Sequence, residues 1–218
     1  MKIIISLIFI SSLLFSYEVS DFIDTSKCDK IINKKYYNIC YSYKYRAPLS
    51  GWAILKDEEV NKITKFKRPR FYTEKTIPKK YRIKYSDYTG YGKLWNRGHF
   101  IVADADLDFS KKSLLKAYTM ANIVPMSAKV NQKTFVKAES LGRRLAKKYG
   151  KVTSISIAKY SNKKIKNKVY IPYEFYRIYI YNKKAICLRY KNELNINTKN
   201  DTLTSHYIKC DSIAIKNK

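Results

Sequence analysis

The 218-residue chain is short of histidine, of acid and of long apolar runs, and each shortage removes a class of function. It has two histidines, His99 and His206, and four cysteines without a Cys-x-x-Cys spacing, so a structural zinc site lacks its ligands. No Gly-x-Ser-x-Gly and no phosphate-cradling glycine loop occurs, which argues against a serine hydrolase and a nucleotide-dependent enzyme. Beyond the N-terminus no stretch approaches the roughly 20 apolar residues that a membrane span requires. No internal repeat or linker divides the chain. Acids number 17 against 45 Lys and Arg, for a formal net charge of +28. A field of that sign draws in polyanions, nucleic acid most obviously, with anionic membrane or polysaccharide surfaces as the alternatives.

The first 16 residues combine Lys2, an apolar run and a small residue, Ser16, which is the pattern of a secretory signal peptide. Its removal leaves 202 of the 218 residues, read as a single domain over 17–218, soluble and secreted or periplasmic. No cysteine follows the run, so a lipid anchor is not expected. The even cysteine count in an oxidising compartment implies two disulfides. Sequence order suggests Cys28–Cys40 and Cys187–Cys210, among three possible pairings.

Local patterns give a coarse layout. Residues 40–46 alternate aromatic and polar side chains as a half-buried strand does. Pro48, Ser50 and Gly51 read as a turn and 51–56 as the returning strand, with the tyrosines as cross-strand packing. Residues 57–78 form a polar loop carrying Lys65, Lys67, Arg68 and Arg70, and 85–92 a Gly- and Tyr-rich loop leading to a strand with His99. Asp104, Asp106 and Asp108 alternate, but without the glycine and terminal acid of a calcium loop they read as a polar loop. Residues 110–120 have a helical period with Ser110 as N-cap, and 131–149 form a long amphipathic helix stopped by Gly150. Strands follow at 151–158, 170–181 and 185–190, and His206 is read as structural or surface. Strands, helices and strands in that order indicate an α+β domain with a mixed or antiparallel sheet core.

One segment, 95–143, collects the chemistry. Phosphodiester hydrolysis needs a base for the attacking water, a cation for charge growing on phosphorus, and phosphate-binding donors. Histidine titrates in the right range, an Asn amide oxygen suits a magnesium-type ion, and arginine matches phosphate. His99, Asn131 and the neighbouring arginines supply these parts. Singly each has a plainer reading: a core histidine, a helix cap, and an i,i+4 ion pair between Glu139 and Arg143.

Jointly, Asn96-Arg97-Gly98-His99, then Asn122-Ile123-Val124-Pro125-Met126, then Asn131, Glu139 and Arg143 resemble the DNA/RNA non-specific endonuclease family. The family is typified by sugar-non-specific nucleases with a ββα-metal finger, also called a His-Me finger. Its signature is Asp-Arg-Gly-His, followed by Asn-x-x-Pro-Gln, with an Asn six residues beyond that proline and a Glu eight further on. The resemblance implies a metal-dependent endonuclease cutting DNA and RNA to 5′-phosphate ends with one Mg2+ or Mn2+ ion. It makes His99 the general base, Asn131 the metal ligand, Asn122 a shaping residue and Glu139 an acceptor from a metal-bound water. Arg143 would bind phosphate, with Arg70 or Arg68 at the scissile phosphate and Arg97 phosphate-binding or structural. Positions 131, 139 and 143 fall within about 120° on a helix, so one face can serve all three. Gly98 would let the finger's backbone pack closely. Asn96 and Met126 depart from the family's Asp and Gln. They are the specific support for a rival, an exported protein that binds DNA without cutting it.

Overall fold

The computed structural model describes residues 16–62, 64, 66–166 and 168–215. The predicted signal peptide, apart from Ser16, lies outside them. One antiparallel sheet runs in the order β1-β2-β3-β6-β7-β8-β9. Its strands are β1 (Lys30–Asn33), β2 (Tyr37–Ser42), β3 (Ala47–Lys56), β6 (Lys151–Ile165), β7 (Val169–Tyr181), β8 (Lys184–Lys191) and β9 (Tyr207–Ile208). β3 pairs directly with β6, so everything between them leaves the sheet and returns. That excursion holds α1 (Asp57–Val60), β4 (Trp95–His99), α2 (Asp104–Leu107), α3 (Lys111–Ala117), β5 (Ile123–Ser127) and α4 (Phe135–Tyr149). β4 and β5 pair as a separate antiparallel ribbon that leads into α4. The strand–strand–helix finger is therefore an insertion carried on a rigid sheet.

Alternation along β6 and β7 splits the core in two. Ile155 and Ile178 face a cluster with Phe22, Ile23 and Ala214, where the N-terminal arm and the C-terminal tail cover the sheet. Phe175 and Tyr179 face the larger core, shared with Phe100, Val124, Met126, Phe135, Leu141 and Leu145. The buried stripe of α4 comes from Phe135, Ala138, Leu141, Gly142, Leu145 and Ala146, at helical spacing. Gly142 allows a close crossing, because a Cβ there would lie 2.5 Å from the Tyr179 ring. The Tyr179 hydroxyl donates to the Ala138 carbonyl at 2.6 Å. Gly150, at φ +81°, ends the helix as the sequence implied.

Disulfides join Cys28 to Cys40 and Cys187 to Cys210, which is the pairing suggested by sequence order. Both bonds fit an oxidising compartment. Among the described residues no helix is long and apolar enough to cross a membrane.

The first hairpin differs from the sequence reading. Pro48, Ser50 and Gly51 lie inside β3, and the turn falls at 43–46, where Arg46 takes φ +52°. Gly51 serves packing instead: a Cβ on it would come within 2.4 Å of Ile101 and 2.5 Å of the Asn38 carbonyl. A β-bulge at Cys40/Tyr41 accommodates the proline, whose missing N–H suits an irregular position. The long helix also begins differently, since Val130–Thr134 is a π-helical turn before α4.

Candidate active site

The excursion opens a cleft of about 940 Å³ lined by residues of β4, the π turn, α4 and the 68–71 segment. His99, Asn131, Glu139, Arg143, Arg97, Arg68 and Arg70 all line it. Asn122 does not. It is fully buried, accepts from the Ile101 amide at 2.9 Å, and donates to the Val102 carbonyl at 2.9 Å and the Ala117 carbonyl at 3.0 Å. Its amide is consumed in holding the loop after His99 against α3, so it shapes the site from behind.

His99 ends β4, and burial holds its pKa below the usual histidine value, against the pull of nearby Asp104. The imidazole is therefore neutral and able to accept a proton at neutral pH. Phe71 and Tyr118 flank its ring, at centroid distances of 5.6 Å and 5.1 Å. Its Nε2 lies 3.2 Å from Asp104 Oδ1. The other Asp104 oxygen accepts from the Tyr118 hydroxyl at 2.9 Å and lies 3.0 Å from Arg68 Nε.

Asn131 sits in the π turn, whose extra residue re-aims a side chain relative to a regular helix. Its Nδ2 donates to Asn96 Oδ1 at 3.2 Å, and Gln132 Nε2 donates to the same oxygen at 3.0 Å. Asn96 in turn donates to the Gly92 carbonyl at 3.0 Å. With its nitrogen tied, Asn131 keeps an amide oxygen that has no hydrogen bond among the described residues. That oxygen lies over Gly98, where a Cβ would approach it to 3.1 Å and Met126 Cβ to 2.7 Å. Gly98 thus permits the close packing expected of it. Met126 is fully buried in the core beneath the ribbon, away from the cleft.

Glu139 and Arg143 do not form an ion pair. Arg143 turns to Asp106, at 2.8 Å, with a second contact to Ser140 at 3.3 Å. Burial, and next the charge of Asp106, push the Glu139 carboxyl up to about 8, although Arg177 and Arg143 pull the other way. Arg97 stacks over the Tyr85 ring at 4.0 Å and donates to its hydroxyl at 3.0 Å. Arg68 is committed to Asp104, whereas exposed Arg70 has no acid partner among the described residues.

Several site residues escaped sequence reasoning. Asp104 and Asp106, read as a polar loop, stand against His99 and Arg143. Arg177, 1 % exposed, donates to the Phe100 carbonyl at 2.8 Å and the Ile101 carbonyl at 2.8 Å, fixing the chain just past His99. Asn192 is also buried, and it binds the Ser127 amide at 2.8 Å and the Pro125 carbonyl at 2.9 Å, locking β5 to the sheet. The only sequence signal for the aspartates was their alternation at 104, 106 and 108, which lacked the rest of a calcium loop. Arg177 and Asn192 gave none.

The donor set suits a hard divalent ion. Among the described residues no group of three or more His, Cys, Asp and Glu side chains could hold a metal. An ion here would therefore keep much of its water, as magnesium does. The free Asn131 oxygen and the repelled Glu139 carboxyl are the groups that such a cation would relieve.

The family described as DNA/RNA non-specific endonuclease matches residues 20–216. Among solved structures, the chain is similar to one in the crystal structure of the EndoG/EndoGI complex, which concerns the mechanism of EndoG inhibition. That match has a TM-score of 0.73 at 19% identity, covering 84% of this chain and 81% of the other. At that identity the likeness concerns the fold. No curated protein matches the sequence.

Proposed function

Because the chain belongs to the DNA/RNA non-specific endonuclease family, we propose that it is an exported nuclease cutting both nucleic acids with His99 as base and one divalent ion at Asn131. The observation that carries this reading is the convergence of neutral His99, the free Asn131 oxygen and Glu139 on one cation-rimmed cleft.

His99 takes a proton from a water that attacks phosphorus in line with the leaving 3′ oxygen. The P–O3′ bond breaks, the 3′ oxygen takes a proton from solvent, and the new 5′ end keeps the phosphate. Arg70 is the freest guanidinium at the cleft and meets the scissile phosphate; Arg143, held by Asp106, meets an oxygen of the same nucleic-acid strand further along. Arg97, braced on Tyr85, offers a third set of donors. Asn131 would hold the ion, and Glu139 would accept from its hydration water. When bound, a Mg2+ or Mn2+ ion supplies fixed positive charge to the phosphate and the leaving oxygen. No base-reading element is required, since affinity for phosphate is indifferent to sequence. The disulfides agree with work outside the cytoplasm.

Asn96 and Met126 no longer favour a non-cutting protein. Asn96 positions Asn131, the proposed ligand, and Met126 fills core. The test is a gel assay of the purified protein on plasmid DNA and on total RNA, with magnesium or manganese and then with EDTA. Degradation of both substrates that EDTA abolishes is expected. Retarded but intact DNA with every divalent ion would replace this reading with simple binding.

A further inference from the structure

Two buried polar atoms in the cleft lack aligned hydrogen bonds, and they face one another. His99 Nε2 and Asp104 Oδ1 are both shielded from solvent, 3.2 Å apart. A bare lone pair and a carboxylate oxygen at that distance would repel, and an unpaired buried acceptor is costly. A proton on one of the two atoms would relieve that repulsion.

Which partner owns it follows from the other side of the carboxylate. Asp104 Oδ2 accepts from Tyr118 at 2.9 Å and sits 3.0 Å from the Arg68 guanidinium. Burial and Asp104 itself push the Tyr118 hydroxyl far up, so it stays protonated and remains a donor. A carboxylate that already takes a hydroxyl donor and a guanidinium on one oxygen offers its other oxygen as an acceptor, so the matching partner there is an N–H donor. The proton therefore sits on the imidazole, which is walled by Phe71 and Tyr118 and has little room to flip. His99 itself lines the cleft, and among the described residues no hydrogen bond occupies its Nδ1.

We propose that Asp104 is a positioning residue that fixes His99 as the Nε2-protonated tautomer, leaving the Nδ1 lone pair to accept the proton from water. The proposal rests on the nuclease reading for its purpose, but its geometry does not depend on that reading. Tyr118 and Arg68 then have a role as well, because they fix which Asp104 oxygen is which.

That orientation makes the isosteric Asp104→Asn a sharp test. Tyr118 and Arg68 would hold the amide oxygen in the Oδ2 place and turn the amide nitrogen toward His99. The nitrogen would donate to Nε2 and drive the imidazole proton to Nδ1, blocking the base. Loss of the correct tautomer is a severe defect in a histidine base. Asp104→Ala leaves the tautomer free and should be the milder variant.

The measurement is a long-range 1H–15N NMR spectrum of histidine-labelled protein at pH 8, without metal, with His206→Gln identifying the His99 signals. Wild type should show His99 protonated at Nε2, and Asp104→Asn should show it protonated at Nδ1. Cleavage should fall at least about 100-fold in Asp104→Asn, and less in Asp104→Ala, with DNA retention unchanged. Nδ1-protonated His99 in wild type would overturn the proposal, even if Asp104→Asn failed to fold. So would a folded Asp104→Asn protein with Nε2-protonated His99 and wild-type cleavage. A tautomer switch in a protein that cuts nothing would sink the nuclease reading and leave this assignment standing.

Discussion

Replacing Glu139 with Gln should stabilise the metal-free protein while disabling it. The carboxyl is pushed from 4.5 up to about 8 by burial and by Asp106. A folded pKa above the unfolded one means that the folded state binds the extra proton between those values. Stability contributed by the protonated form is complete below about pH 4.5 and is lost as pH rises toward 8. At about 1.36 kcal/mol per unit the shift corresponds to no more than about 5 kcal/mol. Glu139 is only half-buried at an open cleft, so solvent reduces this to roughly 1–3 kcal/mol. In a domain of about 200 residues that raises Tm by roughly 2–12 °C. The assay is thermal melting of wild type and Glu139→Gln in EDTA at pH 5 and pH 8.5. A gain of that size at pH 8.5 and little at pH 5 is expected, together with at least about 10-fold slower magnesium-dependent cleavage. An equal shift at both pH values, or none, would refute the claim that a half-buried, repelled carboxylate is held here for a cation.

Three further outcomes follow from the same geometry. Asn131→Ala should raise the magnesium concentration needed for half-maximal cleavage by about 10-fold or more, with DNA retention in EDTA unchanged. Arg177→Met strands two buried carbonyls after His99, so chemical denaturation should show a loss of roughly 3 kcal/mol, and cleavage should slow even where the protein stays folded. Because burial lowers the His99 pKa, the neutral base persists below the ordinary value of 6.5. The acid limb of kcat/KM against pH should therefore lie below 6.5, and a limb above 7 would contradict a buried base.

What the sequence could show was local or carried by fixed spacing. The period of α4, its Gly150 stop and the Ser110 cap are decided within a few residues, and all were legible. The spaced set from His99 to Arg143 pointed to one cleft because β4 and β5 pair as one ribbon that leads into α4. The missed features depend on partners far along the chain. Pro48 and Gly51 look like a turn until Ile101 is known to lie against the glycine. Arg177 lies in a tyrosine-rich strand and reaches back to Phe100 and Ile101. The Glu139–Arg143 spacing is right for an ion pair, yet Asp106 captures the arginine. The π turn at Asn131 carried no sequence signal, although 131, 139 and 143 line one cleft all the same.

The proposed cleavage rests on His99 as the base. Nicking of supercoiled plasmid by wild type and by His99→Ala, at saturating magnesium and equal DNA retention, isolates the proton transfer from binding. A loss of at least about 100-fold in the variant is the predicted result. Equal rates in the two proteins would mean that another group activates the water, and would contradict the assignment of His99 as the base.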